Sequence, residues 1–159
     1  MSLNVDQQLV NEVCKQLSES IQGLEFCYIY GSVAKNNATK ASDLDIAFLA
    51  HPSISSVERF NLAQSIAIEL DVDVDLVDLA EAGDVLRKEV VVSGQLIFGD
   101  QLASDLFYLR VIRDYQDQIL RMKRVGYSED EIGQWMSFAD KGRAGKDFLA
   151  EREDVISDA

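Results

Sequence analysis

The chain has 159 residues, about the size of one domain, and a domain of this size buries enough surface to fold without a disulfide or a structural metal. Its two cysteines, Cys14 and Cys27, show no metal-ligand spacing with the single histidine, His51, so we expect no zinc site. An apolar run of roughly 18 residues and a basic, apolar leader are both missing. These absences predict a cytoplasmic protein that does not contact membranes.

The formal net charge of −13 bears on the partners of the chain. Nucleic-acid binding depends on Lys and Arg side chains that neutralise phosphates, so a polynucleotide substrate is disfavoured. A basic protein, or a nucleotide that arrives with Mg²⁺, suits the charge better. A charge that only maintains solubility is the alternative, and the sequence leaves both interpretations open.

Alternating helix and strand patterns predict a small α/β domain. Apolar residues at helical spacing predict a helix over residues 4–21, and β-forming runs predict strands at about 24–30 and 44–50. A cluster of serines indicates the cap of a helix over about 56–70. Alternating acidic and aliphatic residues then predict a half-exposed strand within 71–79.

The second half of the chain is predicted to be mainly helical. A helix that ends near Val92 is separated by Gly94 from a short strand at 96–98, and a long helix follows until Gly126 ends it. We expect the apolar stripe of the long helix to pack in the core, with a dimer or partner surface as the alternative. The stripe consists of Leu102, Leu106, Leu109, Ile112, Tyr115, Ile119 and Met122. Residues 127–159 are expected to add one or two small helices.

A turn followed by paired carboxylates is the most informative motif. Gly31-Ser32 ends the first predicted strand, and Asp43-Leu44-Asp45 follows after ten residues. Gly31 permits a tight turn, and free N–H groups at the start of a helix opened by Ser32 would bind phosphate oxygens. Positions two apart in a strand share a face, so Asp43 and Asp45 can bind one Mg²⁺. Taken singly, each element is also typical of an ordinary turn or a solvated strand edge.

The third acidic ligand is not fixed by spacing. Alternation along the strand places Asp71, Asp73 and Asp75 on one face and Asp78 on the other. A row of acids on an exposed strand face needs no metal at all. The residues alone therefore leave the choice open.

The segments Tyr30–Lys35 and Ser42–Ala47 resemble the minimal nucleotidyltransferases of the DNA polymerase beta superfamily, whose signature is Gly-Ser, ten residues and Asp-x-Asp. The resemblance extends to about residue 120. It implies an α/β (α+β) nucleotidyltransferase fold, with a mixed sheet of about three to five strands flanked by helices. The implied domain covers 1–125, and 126–159 form a C-terminal helical extension or tail of unknown role.

The resemblance also implies the roles of the site residues. Asp43, Asp45 and Asp75 become the catalytic carboxylates and the ligands of two Mg²⁺ ions, with Asp73 as the alternative third acid. Gly31 and Ser32 hold the phosphates of ATP, and Lys35 adds charge unless it is a solvated loop lysine.

The acceptor is implied only by the family. The resemblance points to the antitoxin of a toxin–antitoxin pair, which uses ATP to place AMP on a tyrosine of a HEPN-domain ribonuclease toxin. Nucleotidylation of a small hydroxylated molecule such as an aminoglycoside is one alternative, and a non-catalytic module that sequesters a toxin is another. A homo-oligomer is left open.

Overall fold

The computed structural model describes residues 6–31 and 43–137, and within them four strands form one mixed sheet with five helices around it. This arrangement confirms the predicted α+β fold. In chain order the elements are α1 Gln7–Ser20, β1 Leu24–Tyr30, β2 Leu44–Ala50, α2 Ser56–Leu70, β3 Val74–Asp78, α3 Asp84–Ser93, β4 Gln95–Gly99, α4 Gln101–Val125 and α5 Glu129–Met136.

The sheet has the order β3-β2-β1-β4. Strand β1 pairs antiparallel with both β2 and β4, and β3 pairs parallel with β2 at the edge. A parallel pair needs a crossover connection, and α2 supplies it. Its start is fixed by a capping box in which the Ser55 hydroxyl accepts from the Glu58 N–H and the Glu58 carboxylate accepts from the Ser55 N–H, both at 3.1 Å.

Helices cover both faces of the sheet, and each face has its own buried cluster. Helices α1 and α2 pack on one face against side chains that include Ile29, Ile46 and Phe48. Helices α3 and α4 pack on the other face against Phe26, Tyr30 and Ala47. Since successive side chains of a strand alternate between faces, each strand contributes to both clusters.

Helix α5 extends the second layer. Its Trp135 is 2% exposed and stacks on Tyr115 of α4 with ring centroids 5.4 Å apart. Ile132 and Met122 are buried in the same cluster. The described residues that follow α4 are therefore packed against it. Across the two described ranges, no helix combines the length and the hydropathy that crossing a membrane would need.

The predicted apolar stripe of α4 is only half buried, which corrects the expectation that all of it packs in the core. Leu102, Leu106 and Leu109 are 64%, 57% and 63% exposed, and the helix buries Phe107 and Val111 in that region instead. The predicted residues recur on average every ~3.3 positions, fewer than the 3.6 residues of a helical turn. The stripe therefore winds around the helix, so it begins on the outer face and ends in the core at Met122.

The third strand is shorter than predicted. Asp71 is not part of a strand, because it ends α2 in the left-handed conformation with φ 51° and ψ 49°. Such a residue closes a helix and cannot continue as an extended strand. Strand β3 begins at Val74, so Asp73 lies just before it.

Candidate active site

The end of β1 lies directly beside the start of β2. Tyr30 and Asp45 are opposed in the antiparallel pair, and Gly31 follows Tyr30 with φ of +73°. A Cβ on Gly31 would lie 3.1 Å from Asp45 Cγ and closer still to Asp45 Oδ2. Gly31 is thus required twice, by its backbone conformation and by the carboxylate that lies against it.

Asp45 and Asp75 face each other across two parallel strands. In the parallel pair of β2 and β3, Asp45 is opposite Asp75, Leu44 is opposite Val74 and Ile46 is opposite Leu76. Opposed residues of neighbouring strands point to the same face of the sheet, so the two carboxylates project together. The face they share is the one covered by α3 and α4, since Ala47, two residues after Asp45, is buried there.

The surroundings of Asp75 raise its pKa above the ordinary value for an aspartate. Partial burial is the main cause, and the nearby negative charge of Asp43 adds to it, while the positive charge of Arg59 acts in the opposite direction. Asp43 is therefore close enough to repel Asp75. A divalent cation between the carboxylates would relieve this repulsion.

The other two candidate acids of this region have different surroundings. Asp73 precedes β3, and its backbone carbonyl accepts a hydrogen bond of 2.8 Å from the Leu44 N–H. Asp78 is 2% exposed, and its carboxylate accepts a hydrogen bond of 2.9 Å from the Ala80 N–H. Of the acids in and next to β3, Asp75 is the one in register with Asp45.

Two of the predicted phosphate-binding residues, Ser32 and Lys35, lie outside the described residues. Among the residues that the structure does describe, no three His, Cys, Asp or Glu side chains are grouped closely enough to hold a metal ion. The structure thus brings Asp45 opposite Asp75, with Asp43 near Asp75, without assembling a three-ligand cluster. The chemistry of the donors still suits Mg²⁺, which binds carboxylate oxygens.

Arg59 is a neighbour of the site that the sequence analysis missed. Its Nη1 lies 3.1 Å from Glu81 Oε2, and its side chain is 22% exposed. Arg59 belongs to α2, the crossover between the two strands that carry Asp45 and Asp75. The sequence carries no short-range signal for this contact, because it depends on how α2 packs against the edge strand.

Comparisons with known proteins identify the family of the chain. Residues 12–102 match the family model described as polymerase beta, nucleotidyltransferase. The chain is similar to the protein adenylyltransferase MntA of Shewanella oneidensis, with 35% identity over 134 residues that cover 84% of this chain and 95% of that protein.

Two solved structures of toxin–antitoxin complexes are similar in fold to this chain. One, with AMP-PNP, matches with a TM-score of 0.70 and 36% identity, covering 73% of this chain and 94% of that chain. The other is a tri-AMPylated Shewanella oneidensis HEPN toxin in complex with an MNT antitoxin, with a TM-score of 0.67, 35% identity and coverage of 75% and 93%. With its matching residues, its fold and its opposed carboxylates, the chain belongs to the polymerase beta nucleotidyltransferase family.

Proposed function

We propose that this chain is a Mg²⁺-dependent protein adenylyltransferase, the antitoxin of a toxin–antitoxin pair, which transfers AMP from ATP to a tyrosine hydroxyl of a HEPN-type ribonuclease toxin. The observation that carries the proposal is the opposition of Asp45 and Asp75 beside Gly31. The similarity to a named adenylyltransferase and to an antitoxin bound to an AMPylated toxin supports the choice of donor and acceptor. A cytoplasmic location belongs to the same proposal.

In this proposal Asp43, Asp45 and Asp75 would hold two Mg²⁺ ions. Bound there, the ions would neutralise phosphate charge and lower the pKa of the acceptor hydroxyl. Asp45 is central to the site, because its carboxylate lies against Gly31 and because it is opposite Asp75 on the neighbouring strand.

In the proposed reaction, some residues of the chain bind the phosphates of ATP and another accepts the proton of the tyrosine hydroxyl. Gly31, Ser32 and Lys35 hold the β and γ phosphates of ATP. The tyrosine oxygen attacks the α phosphorus and forms a new P–O bond, while the bond from the α phosphorus to the oxygen that bridges to the β phosphorus breaks, and pyrophosphate leaves. Asp75 accepts the hydroxyl proton, since it is exposed to solvent, where an acceptor can approach.

The architecture favours a protein as the acceptor. After β4 the described chain forms only α4 and α5, and both bury side chains in the clusters of the domain itself. Among the described residues these helices therefore form no separate lobe that could bind a small-molecule acceptor. A partner protein brings its own surface and needs no such lobe.

The experiment that tests the function follows label from the α phosphate of ATP. With Mg²⁺ and a HEPN-type toxin as the acceptor, we expect label on tyrosine with the wild type and none with Asp45→Asn. Asp73→Asn is the matched control and should retain transfer. Label on RNA ends or on an aminoglycoside, with none on the protein, would overturn the proposal.

A further inference from the structure

Arg59 is a mostly buried cation whose hydrogen-bonding capacity is only partly used. Its side chain is 22% exposed, and among the described residues its one hydrogen bond joins Nη1 to Glu81 Oε2 at 3.1 Å. A guanidinium also carries donors on Nε and Nη2, and these remain available for another acceptor. Burying a charge is costly unless the charge is paired and hydrogen-bonded. The unused donors of Arg59 therefore suit a second anion.

The ion pair of Arg59 and Glu81 passes around the edge of the sheet. Arg59 lies on α2, which packs against one face, while Glu81 lies in the turn that leads from β3 to α3 on the other face. Strand β3 is the edge of the described sheet on this side, so no described strand separates the two layers there. The ion pair thus brings the Arg59 guanidinium past β3 toward the face that carries Asp45 and Asp75.

The positive charge of Arg59 acts on the proposed site. Burial and the charge of Asp43 raise the pKa of Asp75, and the charge of Arg59 lowers it. The two cations of α3 are engaged elsewhere, because Arg87 donates from Nε and Nη2 to backbone carbonyls after β3 and Lys88 lies over an aromatic ring of α4. Of the described Lys and Arg side chains on α2 and α3, Arg59 is therefore the one placed to bind an anion at these carboxylates.

We propose that Arg59 binds the α phosphate of the nucleotide, which is the phosphate transferred to the acceptor. This inference rests on the proposed function. Three carboxylates and a triphosphate carry more negative charge than two Mg²⁺ ions neutralise, and a guanidinium beside them offsets part of the remainder. Its planar N–H groups match the oxygens of a phosphate. Gly31, Ser32 and Lys35 are proposed to hold the β and γ phosphates, which leaves the α phosphate, next to Asp75, for Arg59.

An ion pair that only holds α2 against the turn after β3 is the other explanation of the contact. In that case Arg59 and Glu81 would be equally important, because either substitution removes the same pair. A phosphate contact makes them unequal, since Glu81→Gln keeps the guanidinium whereas Arg59→Gln removes it. The two members of the pair therefore supply the variant and its matched control.

The test is the Kd of AMP with Mg²⁺, measured by isothermal titration calorimetry, because AMP contains the α phosphate but no β or γ phosphate. We expect Arg59→Gln to weaken AMP binding at least about 10-fold and Glu81→Gln to change the Kd less than about twofold. Arg59→Lys should retain part of the affinity, since it keeps the charge but not the planar group. Adenosine, which has no phosphate, should bind the wild type and all three variants alike, which shows that they fold.

The outcomes separate the phosphate contact from the function. Equal weakening of AMP binding in Arg59→Gln and Glu81→Gln would make the contact a structural ion pair and overturn the proposal. AMP binding that is unchanged in Arg59→Gln would also overturn it, and weaker binding of a HEPN-type toxin by that variant would then assign Arg59 to the acceptor protein. A wild type that binds AMP through Arg59 but transfers no label to the toxin would refute the proposed function and leave the phosphate contact standing. A wild type that binds neither AMP nor ATP would overturn both.

Discussion

Gly31 leaves the space in which the Asp45 carboxylate lies. Replacing it with alanine places a methyl group against Asp45 and keeps the residue at φ +73°, where an L-residue is strained by ~1 kcal/mol. We expect Gly31→Ala to reduce AMP transfer at least about tenfold, because the methyl group displaces a proposed metal ligand. The free energy of unfolding, measured by urea denaturation, should fall by only the ~1 kcal/mol of backbone strain.

A double-mutant cycle checks that explanation. Because Asp45→Asn is expected to leave no transfer to measure, the cycle uses the Kd for ATP with Mg²⁺: if the methyl group acts through Asp45, adding Gly31→Ala to Asp45→Asn should weaken this binding no further. Independent, additive losses would mean that Gly31 serves the phosphates alone.

The choice between Asp75 and Asp73 can be tested directly. Asp75→Asn should lower the transfer rate by at least about 10²-fold, because it removes the carboxylate opposite Asp45, while Asp73→Asn should lose far less. The measurement is the single-turnover rate with saturating ATP. A sensitive Asp73 and a tolerant Asp75 would show that the catalytic register is shifted by two residues.

Measurements with and without Mg²⁺ should separate the effect of Asp75 on stability from its effect on metal binding. The charges of Asp43 and Asp75 repel each other, so in EDTA the Tm of Asp75→Asn should equal or exceed that of the wild type. Added Mg²⁺ with ATP should raise the wild-type Tm more than that of the variant, because ligand binding stabilises the folded state. An equal rise in both proteins would remove Asp75 from the metal site.

At the scale of elements, α5 is held to α4 mainly by Trp135. Trp135→Ala should lower the free energy of unfolding by ~3 kcal/mol, since it deletes a side chain that is 2% exposed and stacked on Tyr115. Met136→Ala, at a position that is 41% exposed, is the control and should change it by less than ~0.5 kcal/mol. Equal effects in urea denaturation would mean that α5 is not part of the cooperative unit.

Most elements could be predicted from local sequence, because their signals are local. Strands β1 and β2 and helix α2 have the predicted bounds, since β-forming runs, a serine cap and helical spacing act within a few residues. The errors arose where a pattern had two structural solutions. The apolar residues of α4 fit a helix but not one face of it, and Asp71 fits an alternating strand although it closes α2.

Candidate residues of the site could be named from the sequence, but the register that places them together could not. The spacing between Gly31 and Asp45 can be read directly from the sequence. The residue opposite Asp45 depends instead on the register of β3 against β2, and a register shifted by two residues would place Asp73 there. The contribution of Arg59 depends on the packing of α2 against the edge strand. Pairings between distant segments leave no short-range signal in a single sequence.

At the scale of the whole molecule, charge should select the acceptor. With its net charge of −13 the chain repels polynucleotides, so single-stranded RNA and duplex DNA should receive no label under conditions in which the HEPN-type protein is labelled. Gel separation of a mixture that contains all three acceptors, with ATP and Mg²⁺, is the measurement. Labelled nucleic acid in that mixture would point to a terminal transferase.

Strand β3 has one neighbour in the described sheet, while β1 has two. An edge strand can detach without unfolding the strands behind it, so sub-global opening is easier at β3 than at β1. The proton acceptor proposed at Asp75 thus sits on the more readily released strand, and the turn at Gly31 follows the better protected one. Amide hydrogens of β3 should exchange before those of β1, and mild denaturant should abolish transfer while the rest of the domain remains folded.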